Sequence, residues 1–174
     1  MARTHLYEFH KKYATIIDFH GYEMPLWFDG ITLEHLAVRN AVGIFDITHM
    51  GRGLVTGPEA IDFLNYVFTY DITKIALNHA WVTSMCDKEG IIIDNMMVYK
   101  LGKKKYFIVF NCVFKVRDYM WLTKQPKAFD AEFKHISDET PQFAVQGPKA
   151  EQTMQKIIEA NLSLGLRAFA RIAA

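Results

Sequence analysis

The sequence predicts an α+β fold of antiparallel sheets with flanking helices. Three observations predict it. Residues 81–110 read as three strands whose connections are too short for crossovers, so neighbours pair antiparallel. Helix-period apolar patterns lie on both sides of that stretch. A strand, then Gly-Pro-x-Ala, then a helix occurs twice, at Gly57–Ala60 and at Gly147–Ala150. Proline suits a first helical position because its missing N–H would find no partner there.

In chain order, Thr4 stands as the cap of a first helix with Leu6, Phe9 and Tyr13 on its inner side. Thr15–Phe19 reads as extended, and His20–Gly30 as an aromatic-rich loop. A second helix is expected over Thr32–Val42, with Leu33, Leu36, Ala37 and Ala41 inward and Gly43 as its stop. Ile44–Thr48 and Gly53–Thr56 read as strands around His49-Met50-Gly51. Ile61, Leu64 and Phe68 form the stripe of the helix after Gly57-Pro58. Strands follow at Trp81–Cys86, Ile91–Lys100 and Tyr106–Phe110. A helix from Val113 to Lys124 places Val116, Met120 and Trp121 near one face. Phe129–His135 alternates as a half-buried strand, and Phe143–Gln146 is a short strand before the second Gly-Pro-x-Ala. Ser163–Ala174 is Ala-rich and does not resemble a domain finish. Two domains are expected: residues 1–52 with 136–174 as an incomplete discontinuous α+β domain, and 53–135 as an antiparallel β-rich insert with helices.

Composition excludes some functions. The chain has 174 residues, 51% of them apolar, enough for a core. Its net charge of +1 leaves no electrostatic footprint for nucleic acid or an acidic membrane. Lys103-Lys104-Lys105 follows Gly102 between strands and reads as a solvated turn. Cys86 and Cys112 are far apart with no CxxC partner, which argues against zinc or a disulfide framework and fits a reducing compartment. The N-terminus lacks an apolar signal core, and no stretch nears the ~18 apolar residues of a spanning helix, so the expected location is cytoplasmic.

The chemistry concentrates at Gly90–Lys100, where Asp94 and Asn95 interrupt an apolar run. In a strand, Ile91, Ile93, Asn95, Met97 and Tyr99 share one face, and Ile92, Asp94, Met96 and Val98 the other. A polar group there needs a hydrogen-bond partner, from the fold or from a ligand. Asp94 is a candidate buried base, because desolvation raises a carboxyl pKa. His49 either faces a pocket or is a hydrogen-bonded structural residue, and Asp46 reads as paired to backbone. No P-loop, nucleophile elbow, dinucleotide fingerprint or metal spacing is present.

Several phrases occur in the order typical of one family. They are Arg3-Thr4-His5-Leu6-Tyr7, Gly21-Tyr22-Glu23-Met24-Pro25, Glu34–Arg39, Val42-Gly43-Ile44-Phe45-Asp46, Thr48-His49-Met50-Gly51, Gly57–Ala60, Gly90–Lys100 and Gln146–Ala150. Together they resemble the aminomethyltransferase, or T-protein, of the glycine cleavage system, over the chain up to about residue 160. The resemblance implies a T-protein-like folate-binding fold. It implies transfer of a one-carbon unit from the aminomethyl-lipoyl arm of H-protein to tetrahydrofolate, with release of ammonia. It also places Met50, Asn95, Tyr99 and Asn111 on the folate site, with Asn95 at the catalytic position. An apolar, aromatic wall with a few polar anchors suits a flat pterin.

Two departures from the family bear on activity. The family motif has a carboxylate where this chain has Asn95, and an amide neither takes a proton at neutral pH nor stabilises developing positive charge. Losing such a contact commonly costs on the order of 10²-fold in rate. The family tyrosine near the pterin is Val82 here, and Phe114 replaces a second asparagine. The chain also reads as truncated, because members run to roughly twice its length and their other half carries further folate-site groups and a β-barrel domain; a fragment, a split product working with a separate C-terminal half, and a degenerate copy all stay open. Alternatives on the same scaffold are a folate-dependent demethylase and a non-catalytic folate binder, so the sequence leaves open whether the isolated chain is an enzyme.

Overall fold

A computed structural model describes residues 1–159 and Leu162. Strand β1 (Ala2–Arg3) leads to helix α1 (Tyr7–Tyr13), then β2 (Thr15–Phe19) and β3 (Tyr22–Trp27). Helix α2 (Ile31–Asn40), β4 (Gly43–Asp46), β5 (Gly51–Thr56) and α3 (Ala60–Val67) follow. The middle contains β6 (Ala80–Cys86), β7 (Ile92–Gly102), β8 (Lys105–Phe110) and α4 (Lys115–Lys124). The described part ends with β9 (Glu132–His135), β10 (Phe143–Gln146) and α5 (Ala150–Met154). The stretch Ser163–Ala174 lies outside the described residues. The architecture is the α+β arrangement of antiparallel sheets and helices that the sequence implies, with one short parallel pair between β1 and β3.

Two compact units divide the described chain: Met50–Glu139, and Met1–His49 with the segment from Thr140 onward. The Met50–Glu139 unit is built on one sheet in the order β6-β7-β8-β5-β9, antiparallel throughout. One face of it carries the core. Val55, Met85, Met96, Val98, Tyr106, Ile108 and Phe110 pack there against Phe63, Leu64 and Val67 of α3 and Leu122 of α4. Alternation explains the choice of face: Met96 and Val98 are 2% and 0% exposed, whereas the intervening Met97 and Tyr99 are only half-buried.

That alternation stops below Asn95. Met85 pairs with Asp94 but Cys86 pairs with Ile92, so Ile93 is an extra residue in β7. Ile93 turns to the core while Ile92 is 65% exposed, which overturns the expected grouping of both isoleucines.

The other unit holds a three-stranded sheet, β1-β3-β2, and the antiparallel pair β10-β4. The expected loop at residues 20–30 is largely strand β3. Its hairpin turn is His20-Gly21, with φ of 52° and 84°, the positive pair of a type I′ turn. Asp18 Oδ1 accepts the Gly21 N–H at 2.8 Å. Pro25 is tolerated because it lies beyond the residues that β1 covers and beside a register shift in β2.

Two helices depart from the inner faces that apolar spacing suggests: α1 turns a different face inward, and α2 buries none. In α1, Leu6, Phe9 and Tyr13 are exposed and Tyr7 and His10 are buried, because His10 Nε2 meets Asp46 Oδ2 at 2.9 Å. Thr4 serves that helix through its carbonyl, which accepts from the Tyr7 N–H, and not as a side-chain cap. In α2, Leu33 and Leu36 are exposed and no residue is buried. Asp46 is indeed tied to backbone, accepting from the Thr48 N–H at 2.9 Å. Burial alone would raise its pKa, but hydrogen bonds from Thr4, Thr48 and His10 hold it below the usual carboxylate value.

The two Gly-Pro-x-Ala segments make the same clasp. Thr56, the last residue of β5, pairs with Glu132, the first of β9; Gln146, the last of β10, pairs with Gly43, the first of β4. Gly57 and Gly147 follow with φ of +127° and +124°. The Glu59 N–H then bonds the Asp130 carbonyl at 3.0 Å, and the Lys149 N–H bonds the Ala41 carbonyl at 2.8 Å. A short helix opens in each case.

Candidate functional site

The rung Gly51–Phe110–Met96 crosses three neighbouring strands, β5, β8 and β7. Met50 stands one residue before Gly51, Asn111 one after Phe110, and Asn95 one before Met96. Three of the four candidate residues therefore gather along one end of the sheet. Tyr99 lies four residues further along β7 on the Asn95 side, roughly 13 Å away at strand rise. Its ring meets Phe107 edge-on at 5.6 Å, and burial raises its phenol pKa. The half-buried Met97 lies between them on that face, with Val82 of β6, 53% exposed, as its cross-strand partner.

Asn95 and Asn111 are directly joined. Asn111 Nδ2 donates to Asn95 Oδ1 at 2.9 Å and to Asp94 Oδ1 at 2.8 Å. Asp94 Oδ1 also accepts the Asn95 N–H at 2.8 Å. The polar pair in the apolar strand is thus satisfied by the fold on one side, while the Asn95 side chain stays exposed on the other.

Beneath this cluster lies a residue the sequence reading missed. Asp118 of α4 is fully buried, and its carboxyl is hydrogen-bonded to that of Asp94. Asp94 Oδ2 and Asp118 Oδ2 take no N–H or O–H from any other described residue, so a proton between the two carboxyls is the bond that satisfies them. Burial, first, and the neighbouring Asp94 push the Asp118 pKa up to about 7, against the pull of Arg117. Arg117 Nε donates to Asp118 Oδ1 at 2.9 Å, and its Nη2 donates to the Ile93 carbonyl at 2.7 Å. Its guanidinium also lies 4.1 Å from the centre of the Phe114 ring. Helix α4 is therefore stitched to β7 at the two residues before Asn95. The sequence signal was the spacing of Asp118 and Leu122, which share one inward helix face, whereas Val116 and Met120 of the expected stripe are 70% and 52% exposed.

Arg52 was also missed. It is 1% exposed, and its Nη1 donates to the Met50 carbonyl at 2.6 Å while its Nη2 donates to the Ser137 carbonyl. It fixes the backbone at Met50. The Ser137 hydroxyl lies 2.7 Å from His135 Nε2, and burial lowers the His135 pKa.

The remaining sequence candidates take structural places. His49 packs edge-on against Phe19 at 5.2 Å and Tyr22 at 6.4 Å. Cys86 and Cys112 are half-buried and free, and burial raises the Cys112 thiol pKa, which disfavours a reactive thiolate. Among the described residues no cluster suits a metal ion, and no helix is long and apolar enough to cross a membrane.

Known proteins resemble this arrangement closely. The family model described as GCVT N-terminal domain matches residues 6–173. An aminomethyltransferase of Alkaliphilus oremlandii is 42% identical over 164 residues, which is 94% of this chain and 45% of that protein. One from Thermotoga maritima is 41% identical over 163 residues, 93% of this chain and 45% of that protein. A crystal structure of the glycine cleavage system aminomethyltransferase T from Bartonella henselae superposes with a TM-score of 0.85 at 29% identity, covering 89% of this chain and 43% of that one. The chain thus spans about half the length of the curated relatives it matches. With the same fold and a family match along nearly its whole length, the chain belongs to the GCVT N-terminal domain family.

Proposed function

We propose that this chain is the folate-facing half of a tetrahydrofolate-dependent aminomethyltransferase. In this reading it passes a one-carbon unit from the aminomethyl-lipoyl arm of H-protein to tetrahydrofolate, with ammonia as the second product. The observation that carries the reading is the Asp94–Asn111–Asn95 cluster at the end of β7, beside the half-buried side chains of Met97 and Tyr99. A flat heterocycle gains apolar contact from Met97 and Tyr99 and a directed hydrogen bond from Asn95. Met50, with its carbonyl held by Arg52, and Asn111 complete the site.

Asn95 orients the carrier but has no proton to give or take at neutral pH. It therefore acts by positioning and not as an acid or base. This neutral side chain favours a second reading, a folate binder with little or no transfer. Calorimetric titration with tetrahydrofolate tests the site for both. Binding is expected for the chain alone or together with the remaining half, and Tyr99→Ala should weaken it roughly tenfold by removing the aromatic wall. No heat of binding in either setting would remove the assignment. Between the two readings, Asn95→Asp decides: aminomethyl transfer rising on the order of 10²-fold in that variant marks the native chain as a slow or silent copy.

A further inference from the structure

The hydrogen bonds around Asn95 fix which end of its amide meets a ligand. Asp94 Oδ1 already accepts the Asn95 N–H at 2.8 Å, so it presents an acceptor toward Asn111. That acceptor forces the Asn111 amide to point its nitrogen inward, 2.8 Å away. The second hydrogen on the same nitrogen then goes chiefly to Asn95 Oδ1 at 2.9 Å, with the Asn95 carbonyl as a longer partner at 3.3 Å. The Asn95 oxygen is thereby turned toward Asn111, and its Nδ2 with both hydrogens is turned away, toward whatever lies beyond. Flipping the Asn95 amide would set two donors against each other and lose that bond. The order Asp94, Asn111, Asn95 is a relay in which each side chain dictates the orientation of the next. A carboxylate at position 95 would accept the same Asn111 bond and present an oxygen outward instead.

We infer that Asn95 is a specificity-determining residue: it presents an N–H donor, so this site selects one-carbon carriers that bring a carbonyl or imine acceptor to it over carriers that bring an N–H. The inference rests on the folate reading above and goes beyond it by naming the ligand's polarity. A tetrahydrofolate that turns an amine N–H toward Asn95 offers that donor only the weaker, poorly directed lone pair of the same nitrogen. The same carrier with a formyl oxygen meets donor with acceptor.

The experiment measures equilibrium binding of 5-formyltetrahydrofolate and of tetrahydrofolate to the native chain, to Asn95→Asp and to Asn111→Ala. The native chain should favour the formyl compound by roughly tenfold or more. Asn95→Asp should shrink or invert that ratio by at least roughly tenfold. Asn111→Ala frees the Asn95 amide to turn and should bring the ratio toward one. If both compounds bind and the ratio is the same in all three proteins, the inference is overturned and the folate reading survives. Should Asn95→Asp fail to fold, as seen by circular dichroism, the Asn111→Ala ratio decides alone, and an unchanged ratio overturns the inference. If neither compound binds any of the proteins, the folate reading falls and takes the inference with it.

Discussion

Replacing Asp118 with asparagine is expected to make the chain progressively more stable than the native form as pH rises from 4 to 8. The sign follows from proton linkage. Asp118 has a pKa of about 7 in the folded chain, against roughly 3.9 when unfolded. Between those values the folded chain holds a proton that the unfolded chain has released, so raising the pH favours unfolding. Below about pH 4 both states carry the proton and this contribution is fully present. The loss through pH 7 is on the order of 2–4 kcal/mol. An asparagine keeps a donor for Asp94 and does not titrate. Other groups, among them the lowered Asp46 and His135, change both proteins alike and drop out of the difference. Urea midpoints of the two proteins at pH 4.5, 6 and 7.5 check this. Parallel pH profiles would show that no proton is shared beneath Asn95.

The second large effect concerns the repeated clasp. Gly57→Ala should destabilise the chain by about 3 kcal/mol or more. A methyl there would sit 2.5 Å from the Asp130 carbonyl oxygen and 2.8 Å from the Ala131 Cα, both backbone atoms, at a φ of +127°. Neither clash is relieved by a rotamer change. Gly147→Ala faces the same obstacle, with Ala41 O at 2.5 Å and Val38 O at 2.6 Å. Gly102→Ala is the control, since its nearest atom is Lys105 Cβ at 3.8 Å. Calorimetry should show melting temperatures lower by roughly 6–12 °C for the Gly57 variant and little change for the control. Equal melting temperatures would mean the clasp has room that its geometry denies.

Much of the middle of the chain was legible because its strands are apolar runs divided by short turns. Strand ends moved by only a residue or two where turn residues punctuate the run, as at Trp81–Cys86 against the observed Ala80–Cys86. Reading failed where pairing, not pattern, decides. Strand β3 contains Pro25 and turn-forming neighbours, so it looked like a loop until β2 lay beside it. The inner face of α1 is chosen by the His10–Asp46 bond, which joins residues far apart in sequence. Ile92 and Ile93 exchange faces because a single extra residue resets the two-residue period. The site was half legible. Asn95 stands out as a polar residue in an apolar strand, but its partner Asn111 enters only through family resemblance, and Asp118 lies outside the apolar stripe expected for its helix. A buried acid is visible in a sequence only when the face that carries it is known, and here that face is set by Arg117 and Asp94.

The interrupted unit has a consequence for synthesis. As the ribosome releases the chain, Met50–Glu139 emerges as one uninterrupted run that holds every strand of its own sheet. Strand β4 must wait for β10, since Ile44 pairs with Val145 about a hundred residues later. At ordinary elongation rates that delay is roughly 5–20 s. Nascent β4 therefore spends those seconds as an open edge bearing exposed Ile44 and Phe45, while the segment that divides it from its partner is already free to close.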